Sequence, residues 1–120
     1  LVSIDKEHLR QVFINIIQNS IDAMNRGANL TIKAFKEDNW ACVEIKDEGI
    51  GIKQDDIDKI FTPFFSTKEN GTGLGLYISK RIVDKSGGSI KVESKEGKGT
   101  TTFIKFPLAK KLKDAPQIEK

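Results

Sequence analysis

The apolar residues of this chain change period along its length, and that change limits the available folds more than any other feature. Leu9, Val12, Phe13, Ile16, Ile17, Ile21 and Met24 recur three and four apart, the spacing of one helix face. This predicts an amphipathic helix over 6–25, with Asp5 as N-cap, Glu7 in the first turn and Asn25-Arg26-Gly27 as its stop. From residue 30 the period drops to two. Leu30, Ile32, Ala34 and Phe35 mark one strand. Ala41, Val43 and Ile45, alternating with Cys42 and Glu44, mark a second, with Glu37-Asp38-Asn39 as the hairpin turn. A short helix over 54–60 follows, broken by Phe61-Thr62-Pro63-Phe64-Phe65 and a polar, glycine-rich stretch. Leu74, Ile78 and Ile82 restore the helical period over 73–86, and Gly87-Gly88 ends it. Ile90, Val92 and Ser94, then 101–106, read as two closing strands around Gly97-Lys98-Gly99.

Helices and hairpin-linked strands in this order predict an α+β, two-layer sandwich. Its mixed, mostly antiparallel sheet is covered on one face by helices. The domain is expected over 1–108, with the lysine-rich, aperiodic 109–120 as a flexible tail. At 120 residues the chain suits a single core. Its 38% hydrophobic and 31% charged residues are ordinary globular composition. Twenty basic residues against seventeen acidic leave a net charge of +3, much of it in the tail lysines. No basic stripe alternates with stacking aromatics, so no nucleic-acid partner is expected. No run approaches the roughly 18 apolar residues of a membrane span, so the domain itself is expected to make no membrane contact. The one cysteine, Cys42, excludes an internal disulfide, reads as a small buried hydrophobe and fits a reducing cytoplasm. The start at Leu1 reads as the opening of an excised domain.

Chemistry concentrates in one helix face and two glycine loops. Asn15, Asn19 and Asp22 are four and three apart, which stacks them on one side of the first helix. Asn is a poor helix-interior residue, so two in register suggest amide oxygens facing something polar, such as a magnesium ion. Plain exposure to solvent is the alternative. Asp47-Glu48-Gly49-Ile50-Gly51 puts a carboxylate at a strand end beside a tight turn. A carboxylate only accepts hydrogen bonds and so suits the exocyclic amine of adenine, although a solvated turn has the same pattern. Gly71-Thr72-Gly73-Leu74-Gly75-Leu76 runs into the second long helix, where backbone N–H groups make an anion site. It is neither a dinucleotide-fold G-x-G-x-x-G nor a G-x-x-x-x-G-K-[ST] loop. The preceding Ser66-Thr67-Lys68-Glu69-Asn70 has the composition of a lid, with Lys68 placed to reach phosphate.

In order, Asn15-Ile16-Ile17-Gln18-Asn19, Asp47-Glu48-Gly49-Ile50-Gly51, Phe61-Thr62-Pro63-Phe64-Phe65 and Gly71-Thr72-Gly73-Leu74-Gly75-Leu76 resemble the N, G1, F and G2 boxes of histidine kinases. Gly97-Lys98-Gly99-Thr100-Thr101 resembles the last box of that family, and the likeness covers about 1–107. It implies the Bergerat ATPase fold, with ATP or ADP and Mg2+ as ligands. By that likeness Asn19 holds magnesium, Asp47 binds the adenine amine, Asn15 lies near the phosphates and Thr101 supports the adenine pocket. Gly49, Gly51 and Ile52 lie on the nucleotide. Gly71, Thr72, Gly73, Leu74 and Gly75 wrap the phosphates. Phe64 and Phe65 link lid movement to domain docking, while Phe61 reads as core.

Asn15 separates two branches of the superfamily. Hydrolytic relatives carry a Glu there as general base for water, and an amide takes no proton at neutral pH. Phosphoryl transfer to a supplied histidine needs positioning and charge neutralisation instead. Asn15 therefore favours a kinase, with Asn15 and Lys68 as its catalytic pair. Many histidine kinases have Lys where Asp22 stands. The Asp form, with Phe64-Phe65-Ser66-Thr67-Lys68, resembles the nitrogen-regulation and sporulation subgroup and moves the phosphate cation to Lys68. His8 precedes Leu9-Arg10-Gln11 inside the first helix and reads as a surface residue, not a phosphoacceptor.

The expected activity is transfer of the γ-phosphoryl group of ATP to a histidine on a separate dimerisation domain, with a response regulator as indirect partner. The isolated domain is expected to be a cytoplasmic monomer, from a parent that can be anchored in a membrane. A serine kinase of the anti-sigma-factor type and a nucleotide-binding module without catalysis are the rival readings.

Overall fold

A computed structural model describes residues 5–24, 27–65 and 75–108. Helix α1 spans Lys6–Asp22, and Asp5 caps it as expected: its carboxylate accepts the Glu7 N–H at 2.8 Å. Strands β1 (Leu30–Glu37) and β2 (Trp40–Asp47) form a hairpin closed by Asp38 and Asn39. A 3-10 turn at Gln54–Lys59 occupies the predicted short helix. Helix α2 spans Gly75–Lys85, and β3 (Ser89–Lys95) and β4 (Gly99–Pro107) form the second hairpin.

The sheet order is β1-β2-β4-β3, and all three described pairings are antiparallel. Inserting β4 between β2 and β3 leaves those two parallel to each other. The β2-to-β3 connection therefore crosses the sheet, carrying the 3-10 turn and α2 with it. The helices lie on one face, which gives the expected two-layer α+β sandwich.

The core follows from period two meeting period 3.6. Ile45, Ile90, Ile104 and Phe106 point from the sheet toward Val12 and Ile16 of α1 and Val83 of α2. Phe13 meets Phe106 edge to face, with ring centroids 6.4 Å apart. Edge strand β1 is the exception: seven of its eight residues are exposed, including Ile32 and Phe35.

Cys42 lies on the opposite, helix-free face, in register with Phe35 and Lys105, and is nonetheless buried. The Lys105 ammonium lies 4.7 Å from the centroid of the neighbouring Trp40 ring. Burial pushes the Cys42 thiol above its ordinary range, Glu37 adds to the rise, and Lys105 opposes it. The thiolate is the reactive form, so a raised pKa lowers the reactive fraction at any pH below it. At pH 8 the native chain should react with a thiol-specific reagent at least about tenfold more slowly than the urea-unfolded chain. Equal rates would show an accessible thiol.

Candidate nucleotide site

Asp47 ends β2 directly opposite Thr100 of β4. Strand alternation turns it to the helix-covered side, where it is 3% exposed. Its Oδ1 accepts the Gly49 N–H at 2.9 Å and the Thr100 N–H at 3.2 Å. Oδ2 accepts from no described residue, so a buried carboxylate oxygen is left to whatever enters the cleft.

The chain around Asp47 is fixed by close backbone approaches. Gly51 (φ +76) and Gly99 (φ +98) adopt left-handed conformations, and a Cβ would collide with the Lys95 carbonyl at Gly51 and with the Asp47 carbonyl at Gly99. The Gly97 N–H donates to the Ile50 carbonyl at 2.7 Å, and the Ile52 N–H donates to Ser94 Oγ at 2.8 Å. Ser94 gives its own proton to the Gly99 carbonyl, so the Thr100 hydroxyl donates to Ser94 Oγ at 2.8 Å. Glu48 is a brace: its carboxylate accepts the Asn29 N–H at 3.1 Å.

Asn15, Asn19 and Asp22 project from one side of α1 and line the same cleft, as their spacing predicts. Asn15 Nδ2 donates to the Gly75 carbonyl and to Ser79 Oγ, both at 3.3 Å. Gln18 donates to Asp22 at 2.9 Å. Ile50, Ile52, Ile60, Leu76 and Val92 supply apolar walls to a cleft of about 500 Å3. That volume suits a small-molecule ligand. Its buried polar groups are Asp47, Ser20 (5% exposed) and Thr102 (5% exposed). Neither hydroxyl bonds a described residue, so both are available to a polar ligand edge.

Gly51, Ile52 and Gly75 line the cleft, while Gly49 serves it through its N–H to Asp47. Thr101 does not line it. It lies on the helix-free face between Lys46 and Glu93, and its neighbours Thr100 and Thr102 face the cleft. Phe65 lines the cleft, Phe61 packs on the core as read, and Phe64 is 75% exposed at φ +68. His8 lines a separate cavity with Asp5, Tyr77 and Arg81. Lys68, Gly71, Thr72, Gly73 and Leu74 lie outside the described residues, as do the start of the predicted second helix and the 109–120 tail.

Sequence reasoning passed over Ser20, Thr102 and Ser79. For Thr102 a signal existed: Ile104 and Phe106 fix even-numbered β4 residues to the core face. Phe103, apolar but on the other face, blurred it.

Among the described residues, Asp22, Asp47, Asp56 and Glu96 line the cleft against one cation, Lys53. A polyphosphate entering this field needs a counter-cation. No described cluster of three or more His, Cys, Asp or Glu could cage a metal. Magnesium needs only one or two protein oxygens when phosphates and water supply the rest, and the Asn19 amide fits that demand.

Comparison with known proteins agrees with this geometry. Residues 4–110 match the family model described as histidine kinase-, DNA gyrase B- and HSP90-like ATPase. Sporulation kinase C of Bacillus subtilis is 45% identical over 108 residues, which cover 90% of this chain and 25% of that protein. Sensor histidine kinase ZraS of Escherichia coli is 38% identical over 113 residues, 94% of this chain and 24% of that protein. The chain thus spans about a quarter of these relatives. Among solved structures, the catalytic domain of histidine kinase ThkA superposes with a TM-score of 0.79 at 36% identity, covering 88% of this chain and 70% of that one. Full-length ShkA in complex with AMPPNP gives 0.77 at 28% identity, covering 91% of this chain and 24% of that one. The chain therefore belongs to the histidine kinase-, DNA gyrase B- and HSP90-like ATPase family, and its relatives and structural neighbours are sensor histidine kinases and their catalytic domains.

Proposed function

We propose that this chain binds ATP with Mg2+ in the Asp47 cleft and transfers the γ-phosphoryl group to a histidine on a dimerisation domain of the same kinase. The observation that carries this reading is Asp47 itself, buried, with one oxygen held by two backbone N–H groups and the other facing the cleft. Such an oxygen accepts the adenine amine and repels a base edge that presents a carbonyl there. The neighbouring hydroxyls of Ser20 and Thr102 meet the remaining polar edge of the base, and Ile50, Ile52 and Val92 cover its faces.

The phosphates run toward the Gly75 end of α2, where the helix dipole favours anions. By the family likeness, Lys68 and the glycine-rich residues 71–75 are the groups that would bind these phosphates. Asn19 holds the magnesium ion, which neutralises charge on the phosphate oxygens. In the transfer step the bond from the γ-phosphorus to the ADP oxygen breaks as a bond to an imidazole nitrogen of the histidine forms. The nucleophile is neutral imidazole, so no general base for water is needed, and Asn15 as an amide supplies none. Phe64, exposed beside the cleft-lining Phe65, offers an apolar contact to the docking helices. The phosphoryl group passes next to a response regulator. The domain works on the cytoplasmic side, where ATP is, whether or not its parent is anchored in a membrane. By itself it is a monomer.

Calorimetric titration of the isolated chain with ATP and ADP in magnesium tests the nucleotide half of this reading. Dissociation constants between about 1 μM and 1 mM are expected, roughly −8 to −4 kcal/mol. A folded chain with no binding heat and no thermal shift would reject it.

A further inference from the structure

We propose that Ser79 is a positioning residue for the phosphate end of this site, acting through Asn15; the inference rests on the nucleotide reading above. Ser79 is 0% exposed, one turn into α2 and against α1. Its hydroxyl oxygen accepts from Asn15 Nδ2, and the second proton of that nitrogen goes to the Gly75 carbonyl, each at 3.3 Å. Residues four apart on a helix share a face, so Gly75 and Ser79 form a two-pronged acceptor one turn deep.

The Gly75 carbonyl can only accept, so the amide nitrogen of Asn15 must face α2 and its oxygen must face away. Asn15 cannot flip without setting its own oxygen against that carbonyl. The fork therefore ties the Gly75 end of the described α2, the end nearest the proposed phosphate site, to α1 one turn from Asn19. A Cβ at Gly75 would lie 3.8 Å from Asn15 Cβ and Cγ, an ordinary van der Waals contact, so the two helices already approach to side-chain distance here. Val83, one turn further along α2, belongs to the apolar core with Val12 and Ile16 of α1. A serine serving only as a small filler there is interchangeable with alanine. A serine that sets Asn15 is not, and its loss falls on the phosphates and spares the base.

The test compares adenosine, ADP and ATP binding to the wild-type chain, Ser79→Ala, Asn15→Ala and the double variant, by calorimetry in magnesium. Ser79→Ala should weaken ADP and ATP about five-fold, the factor one neutral hydrogen bond carries, and leave adenosine within about two-fold. The double variant should bind no more weakly than Asn15→Ala, because Ser79 acts through that side chain. Equal weakening of adenosine and ADP, or losses in the single variants that multiply in the double, would overturn the proposal. The nucleotide-free chain gives an independent check through the side-chain NH2 signals of Asn15 in a 15N-correlation spectrum. These should shift in Ser79→Ala, and unchanged signals would overturn the Ser79 assignment even if the chain binds ATP. Shifted signals in a chain that binds no nucleotide would confirm the tie, reject its role at phosphates and show that the nucleotide reading had failed.

Discussion

Asp47→Asn should leave the chain folded and remove nearly all of its affinity for adenine nucleotides. The asparagine carbonyl can take the place of Oδ1 and still accept from Gly49 and Thr100. Its NH2 group then replaces Oδ2 and faces the adenine amine, donor against donor. The loss combines a hydrogen bond to a charged acceptor with a buried unsatisfied donor, about 3 kcal/mol or roughly 100-fold in affinity. Calorimetry against ADP measures it, and the thermal midpoint reports that the fold is retained. Binding within a few-fold of wild type would mean that Asp47 does not read the base.

Gly99→Ala should cost about 3–4 kcal/mol of stability, a large share of the margin of a domain this size. At φ +98 an L-residue is strained, and its Cβ would collide with the Asp47 carbonyl, a backbone group that cannot swing aside. Any relief moves β4 away from β2 and takes the Thr100 N–H off Asp47, so nucleotide affinity falls together with stability. Gly97, two residues earlier in the same turn, is the control. It has φ +82, but a Cβ there meets nothing within 4 Å, so Gly97→Ala should cost about 1 kcal/mol. Urea unfolding of the two variants separates the cases. Equal costs would remove the collision as the reason for glycine at 99.

Much of this was legible in the sequence because local rules and tertiary demands coincide. The α1 stripe of Leu9, Val12, Phe13 and Ile16 meets the core, and the polar side bearing Asn15, Asn19 and Asp22 meets the cleft. Helix period alone fixes both faces. The Glu37–Trp40 hairpin and the β3–β4 turn were equally plain from their alternation and turn residues. Strand order was not legible: nothing local to β4 says that it inserts between β2 and β3, which is what sets Thr100 against Asp47.

The same gap explains why Thr101 is the residue named for the adenine pocket, while Thr100 and Thr102 are the ones that line the cleft. Thr100, Thr101 and Thr102 are chemically alike in sequence, and only register decides which reach the cleft; a shift of one inverts the answer. Ser79 was hidden differently. A serine inside an apolar helix signals nothing until its neighbour across the helix interface, Asn15, is known.

The most direct test of the proposed activity is phosphoryl transfer in trans. The chain is incubated with magnesium and ATP labelled at the γ-phosphate, together with the histidine-bearing dimerisation domain of its parent kinase. Label should appear on that domain in an acid-labile, alkali-stable form, as expected of a phosphoramidate. It should be absent when the acceptor histidine is replaced, and fall by about 100-fold with Asp47→Asn at limiting nucleotide. Label released as free phosphate at a comparable rate without the acceptor would make the chain a hydrolase. Nucleotide binding with no transfer to the histidine domain would contradict the kinase assignment and leave a nucleotide-binding module.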